Sequence, residues 1–239
     1  RSQYGGTVSS LLIHALESGF IEGAVLTSED SKPFLATDRE GILRCAGTKY
    51  TACPTLSGVN AAKEIEKLGF VGTPCQVIAA RKMGLCEDGK KIELIIGLFC
   101  MWSLSYDDFY SYLKEKIDLS SIRKLDIPVD GFVIYTERET KKFPLEDVKQ
   151  FIRPACNICF DMTSEYADIS VGSVEGIEDW NTVIVRTIKG EKLIEKAKKD
   201  GIIETRAIEP VRVEHLREAS LNKKKKALNE CGNDIYFRE

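Results

Sequence analysis

The chain has 239 residues, 34 basic against 37 acidic side chains, a formal net charge of −3 and 43% hydrophobic content. The hydrophobic fraction excludes a disordered chain, and no apolar run approaches the ~20 residues that span a bilayer. The slight acidic excess argues against a dedicated nucleic-acid binder, whose phosphate contacts need basic charge.

In chain order, Val8, Leu11, Leu12, Ala15 and Leu16 follow Gly5-Gly6 at i, i+3, i+4 spacing and predict a helix that stops at Gly19. IEGAVL (21–26) predicts a strand, with 34–37 as its hairpin partner across the polar turn 28–32. Residues 38–44 read as a short helix leading to the Gly47-Thr48-Lys49-Tyr50 loop. Val59, Ala62, Ile65 and Leu68 share one stripe and predict a helix over 58–68. Residues 70–73 then form a short strand, Pro74-Cys75 turns the chain, and 76–83 is the next helix. The continuous apolar run 92–99 is the pattern of a strand covered on both faces in a parallel sheet. Strand, helix and strand in that order imply a right-handed crossover over about 69–99.

A helix over 105–116 follows, with Ser105 placed to cap it. Segments 124–128, 131–136 and 142–145 predict short antiparallel strands around Asp130-Gly131, a small β insertion at about 121–146. ADISVG (167–172) and TVIVRT (182–187) predict two further strands, and 190–200 a helix. The tail from Arg212 is charged and helical, with Lys223–Lys226 read as a solvated face. The fold class is α/β, a mixed sheet with flanking helices and a small inserted β element. One module covers 1–190 and a C-terminal helical segment and tail cover 191–239.

The eight cysteines are the strongest chemical signal. No charged n-region and apolar h-region open the chain, so no secretory leader is expected. In a reducing cytoplasmic setting, clustered thiols hold metal more often than they form disulfides. Only Cys156 and Cys159 form a C-x-x-C pair, which alone is half a zinc site, a thioredoxin-like dithiol or half an iron–sulfur site. The dithiol reading wants the pair at a helix start after the first strand, and here it lies late in the chain. Cys75 sits at a strand-to-helix turn, where amides and the helix dipole favour a thiolate. Cys100 follows the buried strand at its carboxyl end, where ligands gather in parallel sheets. Both should therefore emerge on one sheet edge, unless they are simply buried structural cysteines. Cys45, Cys53, Cys86 and Cys231 read as structural or incidental. Gly5-Gly6 and Gly47-Thr48 offer unhindered amides to a phosphate, though neither is a G-x-G-x-x-G. His14 and His215 are the only histidines, and no G-x-S-x-G or HExxH occurs, which shifts the weight from hydrolysis to redox.

The set GG-x-V-x-x-L-L (5–12), AGTKY (46–50), VGTPCQ (71–76), LFC (98–100), CNIC (156–159), ADISVGSV (167–174) and NTVIVRT (181–187) resembles the beta subunits of coenzyme F420-reducing hydrogenases. That family includes F420-dependent formate dehydrogenase beta subunits. The resemblance implies a cytoplasmic iron–sulfur flavoprotein module with one 4Fe-4S cluster and FAD, exchanging a hydride with coenzyme F420, an 8-hydroxy-5-deazaflavin. It implies cluster ligands Cys75, Cys100, Cys156 and Cys159. It implies FAD contacts from Gly5, Gly6, Ser9, Thr48, Lys49 and Tyr50, with Thr73 and Gln76 as further candidates. Arg81 and Lys82 would meet the coenzyme's acidic tail or simply decorate a helix. Catalysis would rest on cofactors, with no side-chain acid or base. Glu175 departs from the pattern, standing where many members have glycine. With no ferredoxin-type C-x-x-C-x-x-C run, the module would need a redox partner: a hydrogenase, a formate dehydrogenase or a heterodisulfide reductase. Two alternatives stay open within redox chemistry, the same module served by NAD(P)H or ferredoxin and a relay subunit without turnover. A third is a zinc-stabilised binding domain.

Overall fold

The computed structural model describes residues 5–86, 92–128, 131–173 and 179–232. Glu175 and Asp130 lie outside them. Six strands form the main sheet in the order β2-β1-β3-β4-β8-β9. They are β1 (Gly23–Thr27), β2 (Pro33–Ala36), β3 (Leu68–Gly72), β4 (Leu94–Leu98), β8 (Ile169–Gly172) and β9 (Thr182–Val185). Strands β1, β3, β4 and β8 run parallel, while β2 and β9 pair antiparallel at the edges, so the sheet is mixed as expected. The unbroken apolar character of β3 and β4 follows from their central position. Leu68, Phe70, Leu94 and Ile96 are completely buried, each contributing about 1.5–3 kcal/mol by leaving water.

Helices cover both faces. On one side α1 (Thr7–Glu17), α2 (Arg39–Arg44) and α6 (Ile188–Lys199) bury Leu11, Leu12, Ile42 and Leu193. On the other, α3 (Pro74–Met83) and a 3-10 helix over Thr55–Ala62 bury Val77, Ala80, Val59 and Ala62. That 3-10 helix replaces the α-helix expected over 58–68. Gly58 packs so closely on β1 that a Cβ there would stand 2.8 Å from Val25 Cγ1. Leu68 already belongs to β3, paired with Gly23. The apolar stripe thus crosses a helix–strand boundary: two of its residues face the core from the 3-10 turn, and the last faces it from the sheet.

A second core lies beside the sheet. Strands β5 (Ile122–Asp126), β6 (Phe132–Thr136) and β7 (Thr140–Phe143) form an antiparallel meander. It packs against α4 (Tyr106–Lys116) and α5 (Leu145–Lys149) around Phe109, Leu113, Phe132, Ile134 and Val148. The β insertion is therefore the middle of a larger α/β unit. Its last predicted strand, 142–145, ends earlier because Pro144 precedes α5 and the chain turns helical there. Ser105 stands at the start of α4, but its hydroxyl donates to Asp108 Oδ2 at 2.6 Å instead of capping the backbone.

The C-terminal helix α7 (Pro210–Cys231) packs back onto the sheet edge. Its Lys223 is not solvated, as the charge run suggested. It is buried, with Nζ donating to the carbonyls of Cys100 at 2.6 Å and Asp161 at 2.8 Å. Arg81 also departs from surface decoration. It pairs with the buried Asp168 carboxylate at 3.0 Å and donates to the Tyr166 carbonyl at 2.8 Å, pinning α3 to β8.

Candidate functional site

Five segments converge on the carboxyl edge of the parallel strands. Thr73, just past β3, caps α3 in a reciprocal capping box with Gln76, and Pro74 opens the helix. This box fixes Cys75 in the first turn, exposed, with its Sγ 3.4 Å from the Thr73 hydroxyl. Gln76 then donates to the Cys53 carbonyl at 2.7 Å and ties the turn to the 51–54 loop.

Cys100 emerges two residues after β4. The loop that carries Cys159 is laid across this strand end. The Cys100 amide donates to the Met162 carbonyl at 2.8 Å, and the Ser164 hydroxyl donates to Leu98 O at 2.8 Å. Close approach demands glycine at position 97, where a Cβ would come within 2.2 Å of Ser164 Cβ. Cys156 is brought in by Ser103, whose amide donates to its Sγ at 3.4 Å. The Ser103 carbonyl accepts from the Arg153 amide. Bridges of Leu104 to Thr51 and to Ile152 stitch the AGTKY loop, the post-Cys100 segment and the C-x-x-C approach together.

The four cysteines predicted as ligands therefore share one neighbourhood. Burial pushes the Cys100 thiol up to about 12, opposed by the Lys223 charge and reinforced by thiolates at Cys156, Cys75 and Cys159. Such crowding resists ionisation until cations replace the protons, which is the condition a metal cluster meets. Among the described residues, no three His, Cys, Asp or Glu side chains stand in the arrangement of a single-ion site.

The residues predicted for a flavin reach the same edge from the other side. Gly6 caps α1 in the left-handed region at φ 69° and carries no side chain. A Cβ on Gly5 would stand 2.7 Å from the Asp179 carbonyl, so the chain's own packing already requires glycine there. The Thr7 amide and hydroxyl donate to Asn181 Oδ1 at 3.3 and 2.9 Å. This places the start of α1, with the half-buried Ser9, beside Thr182, the β9 residue opposite Gly172 at the end of β8. Thr48 is exposed on its loop. Lys49 is turned inward, donating to the carbonyls of Cys45, Ala46 and Gly47 at 2.6, 3.1 and 3.0 Å, and burial holds its ammonium below the usual lysine range. Tyr50 leans on the second core and donates to Asp126 Oδ1 at 3.3 Å.

A cavity of about 470 Å³ opens beside the 52–57 segment, lined among others by Cys53, Leu56, Gln76, Tyr106 and Arg153. Its volume is that of an ordinary small-molecule site.

Family models for "Coenzyme F420 hydrogenase/dehydrogenase, beta subunit" match residues 1–60 (N-term) and 65–211 (C terminus). The chain belongs to this beta-subunit family. It is 35% identical to the coenzyme F420 hydrogenase subunit beta of Methanosarcina barkeri over 89% of this chain and 78% of that one. The Methanothermobacter thermautotrophicus subunit is likewise 35% identical, over 95% of this chain and 86% of its own. A chain in a solved structure of the F420-reducing NiFe hydrogenase complex from Methanosarcina barkeri superposes with TM-score 0.90 and 34% identity, covering 99% of this chain and 90% of that chain. As a member of this family the protein is an oxidoreductase subunit. Among the described residues, no helix is long and apolar enough to cross a membrane.

Sequence reasoning missed three contributors to this beta-subunit site. Ser103 carries no motif, and only the fold brings it to Cys156. Arg153 lies three residues before the C-x-x-C, a position whose charge was its only signal. Lys223 was hidden in a lysine run.

Proposed function

We propose that this chain exchanges a hydride with coenzyme F420 through bound FAD. It passes single electrons through one 4Fe-4S cluster to a partner hydrogenase, formate dehydrogenase or heterodisulfide reductase in the cytoplasm. The observation that carries this reading is the hydrogen-bonded placement of Cys75 and Cys100 at neighbouring strand ends, with the Cys156 and Cys159 loop tied to the Cys100 segment through Met162 and Ser103. When bound, the flavin supplies the exchange between two-electron and one-electron chemistry, and the cluster supplies the single-electron path.

The protein's part is holding and orienting. Cys75, fixed by the capping box, and Cys100, fixed by Met162, are presented on rigid strand ends. Cys156 and Cys159 close on them from a loop tied through Ser103 and Asp161. The Asp161 side chain is fully buried and accepts from the amides of Thr163 at 3.0 Å and Glu165 at 2.9 Å, which fixes the loop's shape. Gly5, Gly6 and Ser9 at the start of α1, with Thr48, receive the FAD pyrophosphate, because a helix start offers amides and the positive end of its dipole. Lys49 shapes that loop by holding its carbonyls. Tyr50, Thr73 and Gln76 frame the flavin side of the cysteines. The cavity accepts a planar ring against Leu56 and Tyr106, and Arg153 at its rim meets the coenzyme's acidic tail, a task the family resemblance offered to Arg81 and Lys82.

The test is an anaerobic preparation assayed for iron, sulfide and flavin, with a visible spectrum before and after reduced coenzyme F420. Flavin and cluster bands bleached by the coenzyme support the reading. A colourless protein holding zinc removes it. Bands bleached by dithionite but not by the coenzyme remove the F420 part and leave a different donor.

A further inference from the structure

Lys223 is the most heavily buried charged residue on α7, at 6% exposure, and with Ala227 it is one of the two residues this 22-residue helix buries. Burying an ammonium is costly unless it is hydrogen-bonded and paired with negative charge. Its hydrogen-bond acceptors are two backbone carbonyls, those of Cys100 and Asp161, at 2.6 and 2.8 Å. Nearby carboxylates are engaged elsewhere. Asp161 accepts from the amides of Thr163 and Glu165, and Glu165 pairs with Lys224 at 2.5 Å. Among the described residues, Lys223 makes no ion pair with a carboxylate.

The two carbonyls it chooses belong to the segments that deliver cluster cysteines. One is the carbonyl of Cys100 itself; the other lies two residues after Cys159 and also accepts from the Cys159 thiol at 3.6 Å. Lys223 thus joins the two cysteine-bearing segments and sets its ammonium on the backbone of Cys100 itself. It lies beyond residue 211, where the family-model match ends, on an element that supplies no ligand.

We propose that Lys223 is the built-in counter-cation of the iron–sulfur cluster, a positioning residue by which α7 clamps the two ligand segments and raises the cluster's reduction potential. This rests on the cluster reading above. Reduction adds one electron and no proton or bond, so the cluster becomes more negative, and a fixed positive charge beside it favours the reduced state.

The experiment compares the full chain with Lys223→Met, Lys223→Gln, Lys223→Arg and, as a control at an exposed lysine of the same run, Lys225→Gln, all reconstituted anaerobically with iron and sulfide. Iron and sulfide are counted, and dithionite titration is followed by EPR of the reduced cluster. Met and Gln should hold the cluster but lower its midpoint by at least a tenfold change in the reduction equilibrium, about 59 mV for one electron. Arg and Lys225→Gln should titrate with the wild type. Loss of iron from Met and Gln while Arg loads at the wild-type potential also supports a role for the charge. A wild-type midpoint in loaded Met or Gln overturns the proposal. Failure of all three Lys223 variants to load, Arg included, overturns it as well, because shape and not charge is then what matters. If the wild type itself binds no iron and sulfide, the cluster reading falls and takes this proposal with it.

Discussion

The cysteine side and the glycine side of the sheet edge are built in opposite ways. At the cysteine side, rigid strand ends present Cys75 and Cys100, and neighbouring loops are tied down by Met162, Ser164, Ser103 and Lys223. At the glycine side, the groups suited to a pyrophosphate are a helix start without a side-chain cap and a loop whose lysine is occupied by its own carbonyls. The contrast teaches that a cluster needs four ligands at fixed separations before it arrives, whereas a dinucleotide can be gripped by backbone amides on segments that adjust around it.

The largest effect should come from the rigid side. On the proposed cluster reading, Cys100→Ser removes a ligand whose backbone is pinned at the end of β4, so loss of the cluster is expected, read as loss of bound iron and of visible absorbance, with the fold retained by circular dichroism. If iron stays at the wild-type level, the four-cysteine assignment is wrong. Gly97→Ala is next. The added methyl meets Ser164 at the β4 surface, and overpacking of this kind costs about 1–3 kcal/mol or more, measured as a drop in the unfolding midpoint. An unchanged midpoint would mean the Cys159 loop does not lie tightly on β4.

Arg153→Ala tests the cavity that Gln76, Tyr106 and Arg153 line. A roughly tenfold rise in KM for the coenzyme with kcat little changed is expected, about 1.4 kcal/mol of binding lost equally from ground and transition states. A fall in kcat at constant KM would place Arg153 in electron transfer and not in binding.

Smaller effects depend on pH. In the apoprotein, the folded Cys100 holds its proton up to about 12 against an ordinary thiol value of 9.0. Between those values the folded state binds more protons than the unfolded one, so this group's contribution to stability falls as pH rises from 9 toward 12. Cys100→Ala should flatten that slope in denaturant titrations of the apoprotein. Lys49 has the opposite sign. Burial lowers its folded value below that of the unfolded chain, so stability rises with pH across that window. Lys49→Met should remove this rise, and a variant with the wild-type slope would show that the ammonium is not desolvated.

Much of this was legible in the sequence for local reasons. The apolar run at 92–99, the Pro74-Cys75 turn and the hairpin at 21–37 each follow from side-chain period and turn chemistry, and those signals placed Cys75 and Cys100 at strand ends. The 58–68 stripe misled because a helix face and a strand face were buried against the same core, and hydrophobic spacing does not mark the boundary between them. The Lys223–Lys226 run misled because charge normally means solvent. Nothing local distinguishes a lysine aimed at two distant carbonyls from its solvated neighbours.

The amino-acid order by itself determined the mixed α/β class, the strand ends that carry two cysteines and the C-x-x-C that carries two more, because each depends on contacts between near neighbours. Only the tertiary structure decided that Ser103 draws Cys156 toward Cys100, that Arg153 rims a cavity and that α7 lays an ammonium against the cysteine segments. Those choices depend on residues 50 to 125 positions apart meeting at one sheet edge, and their energy appears only when the chain closes on itself.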